Sequence, residues 1–239
     1  MAISANSVFH FTGSLDVLKS ILENGFWPHY CREYGWGNRT RFDFAVPVTC
    51  FTDLPLSQIA SHVDFYGGYG IGMSRTWVQQ QQNMAPVFYL TDYSVKIVNN
   101  VRKLGYKSKD NSIHLEDFRL LSLLKKFQGK MKDKNGTLVS KVFYDEREWR
   151  YVPPIENLTD AVVKIEEQQK FDATAYNEMM YNYRLSFRMQ DVNYLFIKDE
   201  TDRLRLLQII DQIYSSETVE DRAVLKSKIL STEQLKMDM

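Results

Sequence analysis

Cysteine is scarce in this chain: Cys31 and Cys50 are the only two among 239 residues. Two thiols cannot build a disulfide framework or a four-cysteine zinc site. No apolar run approaches the roughly 20 residues that a membrane-spanning helix needs, so no membrane association is expected. The opening MAISANSVFHF has neither the basic nor the apolar region of a signal peptide. These absences predict a reduced, soluble, cytoplasmic protein. Also missing are GxxxxGKS/T, a GxGxxG between strand and helix, HExxH and GxSxG, which removes support for kinase, P-loop NTPase, zincin and α/β-hydrolase readings. Only four histidines are present, and His10, His29, His62 and His114 lack metal-ligand spacing, so no metal is expected.

What is present is an ordinary globular composition, 44% hydrophobic and 25% charged, long enough to bury a real core. Thirty basic side chains balance thirty acidic ones. That balance conceals a gradient. Residues 1–100 carry 6 basic and 7 acidic side chains, residues 101–152 carry 13 and 7, and residues 153–239 carry 11 and 16. The basic middle makes a nucleic-acid acceptor, held through residues 101–152, one partner expectation, with a steep salt dependence. Lys125, Lys126, Lys130, Lys132 and Lys134 could equally solvate a helix end and a turn.

The pattern predicts a short strand at 7–12, then a helix capped by Ser14, with Leu15, Leu18, Ile21 and Leu22 on one face and Asn24-Gly25 as its stop. Residues 26–43 read as a long ordered loop. Strands are expected at 46–52, 86–90 and 193–198. Residues 139–152, VSKVFYDEREWRYV, read as one long strand or two with a bend, ended by Pro153-Pro154. Helices are expected at 93–104, 115–126 and 203–214, with a last short one after Ser231. Strands and helices mix without regular alternation. The expected class is α+β, a mixed or antiparallel sheet with flanking helices. A core over 1–154 and a helical and strand extension over 155–239 packed on it are the expected domains.

Three segments carry chemistry-bearing residues. They are His10-Phe11-Thr12, then CFTDLPLS at 50–57 leading to Tyr66 and the glycine-rich YGGYGIG, and Glu146-Arg147-Glu148-Trp149-Arg150. Each has a plain alternative: a half-buried histidine, a tight turn with aromatic packing, and a surface ion-pair ladder contributing about 0–1 kcal/mol.

The order His-x-Thr, helix, Ile-Leu-x-x-Gly-Phe resembles the opening of the ADP-ribosyltransferase fold of poly-ADP-ribose polymerases and diphtheria toxin. HFT with ILENGF, CFTDLPLS, YGGYGIGMS and EREWRYV together resemble the first component of the bacterial AbiG abortive-infection (phage-resistance) proteins. The AbiG resemblance implies an antitoxin role and a toxin or other defence-system partner.

The transferase resemblance implies NAD as substrate, with ADP-ribose transfer or NAD cleavage as the reaction. Breaking the nicotinamide–ribose bond builds positive charge on the sugar, which a fixed carboxylate stabilises. The resemblance places Glu148 in that role, with Glu146 as a second acid pointing the same way along a strand. It places His10 on the adenosine ribose, Thr12 on the nicotinamide ribose or amide, and Tyr66 or Tyr69 on the nicotinamide ring. Gly67 and Gly68, with Gly70 and Gly72, would let the backbone approach the ligand, and Arg150 joins the ligand-binding set.

Overall fold

The computed structural model describes residues 5–34, 43–96, 115–132, 136–156, 163–165 and 173–238. Strand β1 (Ser7–Thr12) ends at Gly13-Ser14, and the Ser14 hydroxyl accepts the Val17 N–H at 3.3 Å to open helix α1 (Leu15–Asn24). Leu15, Leu18, Ile21 and Leu22 form its buried stripe, at the spacing one helical face requires. Gly25 stops the helix at φ 80°, where a Cβ would stand 2.7 Å from the Leu185 carbonyl. That crowding arises because Phe26 and Leu185 exchange both of their backbone hydrogen bonds.

The stretch after Phe26 is not a loop throughout. Strand β2 (His29–Tyr34) pairs antiparallel with the first part of β3 (Asp43–Thr52). Helix α2 (Ala60–Tyr66) follows, and then β4 (Tyr69–Ser74), so most of the glycine-rich segment is strand rather than turn. Gly70 and Gly72 face Phe11 and Phe9 across the β1 ladder, and a Cβ on either would stand under 3 Å from those rings. Their bareness makes room for aromatic packing, not for a ligand. Helix α3 (Arg75–Gln80) and the short strands β5 (Met84–Pro86) and β6 (Phe88–Leu90) come next. Residues 92–96 are helical, and the remainder of the helix expected at 93–104 lies outside the described residues.

The helix expected at 115–126 ends at Ser122. Leu124–Lys126 is instead strand β7, drawn into a parallel pair with β6. The basic segment after it is strand β8 (Gln128–Lys132), paired with β9 (Leu138–Val142). The expected strand over 139–152 is broken by a 3-10 turn at Phe143–Glu146 and by Arg147 at φ 46° before β10 (Glu148–Tyr151) resumes. Glu146 therefore lies in a turn, and strand alternation does not set its direction. The last strands are β11 (Val163–Ile165), β12 (Val192–Ile197) and β13 (Ile229–Ser231).

The principal sheet runs β13-β12-β4-β1-β3-β10-β5, with β2 and β11 also on β3. Only β12–β13 is parallel among its described pairs. The class is α+β, a mixed sheet with flanking helices. The C-terminal residues complete this sheet, because β12 lies directly against β4. One core joins α1, Phe26, Phe51 and Trp77 to Leu195, Ile197, Leu206, Ile209 and Ile210. Residues from both sides of position 154 thus bury one another.

Candidate functional site

The site begins where two strands part. β1 pairs with β3 only at Phe9–Thr52, while its other edge stays laddered to β4 over six residue pairs. Beyond that point the His10 imidazole spans the gap, with Nδ1 2.8 Å from the Cys50 carbonyl oxygen. A carbonyl only accepts, so Nδ1 carries the proton and Nε2 keeps its lone pair. The parting opens a cavity of about 140 Å³ lined by Phe9, His10, Phe11, Cys50, Phe51, His62, Tyr66, Lys125, Glu146 and Glu148.

Its charged wall is an ion network. Lys125 Nζ reaches Glu146 Oε2 at 2.7 Å and also bonds Glu148 Oε2. Lys141 Nζ lies 2.6 Å from Glu146 Oε1, and the Tyr66 hydroxyl donates to the same oxygen. Arg150 Nε lies 2.7 Å from Glu148 Oε1, its Nη1 donates to the Ser122 carbonyl at 2.7 Å, and its Nη2 lies 2.5 Å from Glu33. Three carboxylates thus face three cations. Glu146, Glu148 and Arg150 are buried, Arg150 to 1% exposure.

Burial opposes ionisation of Glu148, but Arg150 and Lys125 overcome it and hold the carboxyl far below the usual carboxylate range. Glu146 is likewise lowered, against burial, by Lys125. Burial works against the Lys125 charge too, yet Glu148 and Glu146 raise its pKa well above normal. Burial and the neighbouring Glu146 keep the Tyr66 phenol protonated. Burial lowers His10, and it brings His62 down to about 4. At neutral pH the cavity therefore holds fixed ion pairs and two neutral imidazoles. No poised acid is present, and both carboxylates already accept hydrogen bonds from cations.

The residues expected at a ligand site divide between two places. His10 on β1, Tyr66 at the end of α2, Glu148 on β10 and Glu146 in the turn before it line the one cavity. Arg150 stands on the strand beside it and binds Glu148 rather than facing the opening. Tyr69, Gly67 and Gly68 line a separate hollow of about 650 Å³ with Lys198 and Thr232, to which Tyr66 also contributes. The Tyr69 hydroxyl donates to Asp202 at 2.5 Å. Gly67, at φ 123°, backs onto β1: a Cβ there would stand 2.2 Å from the Thr12 carbonyl oxygen. Thr12 is buried, pairs with Tyr69 and lines neither hollow.

Sequence reasoning gives no role at this site to Lys125, Lys141, Glu33 or His62, although His62 lies in the segment between CFTDLPLS and Tyr66. Lys125 and Lys141 sit in the basic middle that suggested a nucleic-acid surface, and both are turned inward to carboxylates. Lys134 and residues 101–114 of that segment lie outside the described residues. Among the described residues no group of three or more His, Cys, Asp and Glu could hold a metal ion, and no helix is long and apolar enough to cross a membrane.

Residues 24–198 match the family model described as "Putative abortive phage resistance protein AbiGi, antitoxin". The abortive phage resistance protein AbiGi of Lactococcus lactis subsp. cremoris is 26% identical over 226 residues, covering 82% of this chain and 90% of that protein. No solved structure matches the chain, so the transferase likeness gains no structural neighbour. The family match spans β3, α2, the glycine-rich strand and the whole ion network, with β1 and its His10 outside it, and the chain belongs to the AbiGi family.

Proposed function

We propose that this chain serves phage resistance as an antitoxin, by binding a toxin partner without turnover of its own. The observation that carries this reading is the neutral ion network. Glu146 and Glu148 are each held by two cations, so neither is free to stabilise a developing positive charge or to take a proton. The cavity they line, about 140 Å³, is also below the roughly 300–1,000 Å³ of small-molecule sites. The family description, which names an antitoxin, supports the same reading.

A test is growth rescue. Expression of the product of the adjoining gene should arrest cells, co-expression of this chain should restore growth, and the two should co-purify. Truncation after Pro154 is unsuitable, since it removes β12 from the sheet. Charge reversal of the exposed Glu217 and Glu220 is the better variant for the acidic C-terminal surface. No rescue and no co-purification with the intact chain would sink the proposal.

One observation favours a second reading, NAD binding with ADP-ribose transfer or NAD cleavage on a transferase-like fold. His10, Tyr66 and Glu148 come from three distant elements and line one cavity. A ligand would then have to displace Lys125 from Glu148. Release of nicotinamide from NAD by the purified chain, abolished in Glu148→Gln with the fold intact, would establish this reading over the first.

A further inference from the structure

Strand β3 is left open along part of one edge. β2 pairs with it as far as His29–Val48, and β1 joins it only at Phe9–Thr52. Among the described residues, Thr49, Cys50 and Phe51 therefore have a paired strand on one side alone, β10. A hollow of about 440 Å³ lies at this opening, against α1. That is within the roughly 300–1,000 Å³ of small-molecule sites. Its walls are largely apolar, with Val17 and Ile21 from α1, Val48 from β3 and the Trp27 indole. The indole is fixed in place: Nε1 donates to the Asn177 carbonyl at 2.8 Å, and the ring stands edge-on to Tyr181 with centroids 5.3 Å apart.

Two polar groups interrupt this surface. Thr49 alternates with Val48 and Cys50 along β3, so it shares the sheet face of Phe51, which packs into the core with α1. The Thr49 Oγ1 is buried without a hydrogen-bond partner among the described residues. A hydroxyl in that state costs stability, and most buried polar groups are satisfied. His10 lines the hollow as well. Its Nδ1 is engaged by the Cys50 carbonyl, so Nε2 is the acceptor the imidazole has left. No lysine, arginine or glutamate lines the hollow, and Asp16, at the exposed rim, is held by Arg205 at 2.7 Å.

We propose that this hollow binds an uncharged, planar aromatic alcohol of one or two rings. Its ring lies against Trp27, and its hydroxyl donates to His10 Nε2 while accepting from the Thr49 hydroxyl. One small group thus satisfies both polar atoms, and the apolar walls take the ring. A charged ligand is disfavoured, because the lining offers it no free counter-charge. The site rests on neither functional reading above and is separate from the ion-lined cavity, with which it shares His10 and the Cys50 backbone.

The experiment titrates the full chain with 2-naphthol, following the probe's own fluorescence, and reads stability by thermal unfolding. Saturable one-to-one binding is expected, about fivefold or more tighter than for 2-fluoronaphthalene, which keeps the rings and lacks the donor. Thr49→Val removes the hydroxyl and keeps the side-chain shape. The thermal midpoint should then rise by about 2–4 °C as the unpartnered group is lost, while 2-naphthol binds about tenfold more weakly. A threonine kept for the fold alone would not move those two readouts in opposite directions. Ser20→Trp, on the exposed side of α1 at the rim, should block the hollow and abolish binding with the midpoint unchanged. The proposal is overturned if 2-naphthol shows no saturable binding up to its solubility limit, if both probes bind equally, or if Thr49→Val leaves the affinity as it was.

Discussion

Arg150 Nε lies 2.7 Å from Glu148 Oε1, with both side chains buried two residues apart on one strand. A surface ladder of this spacing would contribute little. Here the same pair anchors Glu33 and the Ser122 carbonyl as well, so one guanidinium ties β10 to β2 and to the end of the helix before β7. Arg150→Met would leave two carboxylates short of a cation inside the protein. Breaking one partner of such a pair costs about 3–5 kcal/mol. Urea denaturation should show a loss of that order, and a loss under 1 kcal/mol would mean the network is not structural.

Acid should unfold the protein through the same groups. Glu146 and Glu148 have folded pKa values below the ordinary 4.5. Their contribution is therefore complete above that value and is lost as pH falls below it. His62 has a folded pKa of about 4 against an ordinary 6.5, so stability is also lost as pH falls from 6.5 towards 4. The midpoint of thermal unfolding should thus decline in two stages. His62→Phe, which keeps a ring beside Tyr66, should shrink the upper stage to the part that buried His10 contributes and leave the lower stage in place.

Gly67 is held at φ 123° with its α-carbon pressed against β1. A methyl there meets the Thr12 carbonyl oxygen at 2.2 Å, and the backbone angle is one that alanine rarely adopts. Gly67→Ala should cost more than the about 0.4–1 kcal/mol by which the same change stabilises a site whose backbone accepts alanine. The check is the thermal midpoint, with Gly13→Ala, where a Cβ meets nothing within 4 Å, as the control.

How far the residues announce this structure depends on how local the determining interaction is. Helix α1 is legible because its cap, apolar stripe and stop lie within twelve positions, from Ser14 to Gly25. β2 is not, since HYCREY mixes aromatic and charged residues without a clean alternation, and it becomes a strand only by pairing with β3. β7 is lost for the same reason: Leu124–Lys126 continues a helical pattern, and its capture by β6 is tertiary. In the site, the residue types of His10, Tyr66 and Glu148 stand out in order along the chain. Their cations do not, because Lys125 meets Glu148 across 23 residues and Arg150 meets Glu33 across 117. Opposite charges that far apart carry no spacing signal. The glycines mislead in a related way, being bare to admit Phe9, Phe11 and the Thr12 backbone.

Lys125 offers the sharpest test of whether the network acts as a unit. It serves Glu146 and Glu148 at once, so Lys125→Met strips one cation from two buried carboxylates. Its cost should resemble that of Arg150→Met, about 3–5 kcal/mol. Glu148→Gln alone leaves Lys125 with Glu146 and Arg150 with Glu33, and it should also destabilise. Combining Lys125→Met with Glu148→Gln removes one charge of each sign and restores neutrality. The double variant should therefore be more stable than the sum of the two singles predicts, by a coupling of about 0.5–3 kcal/mol. Chemical denaturation of the four proteins supplies the cycle. Additive losses would show that Lys125 and Glu148 act independently, and the electrostatic case against a free carboxylate at this site would fall with them.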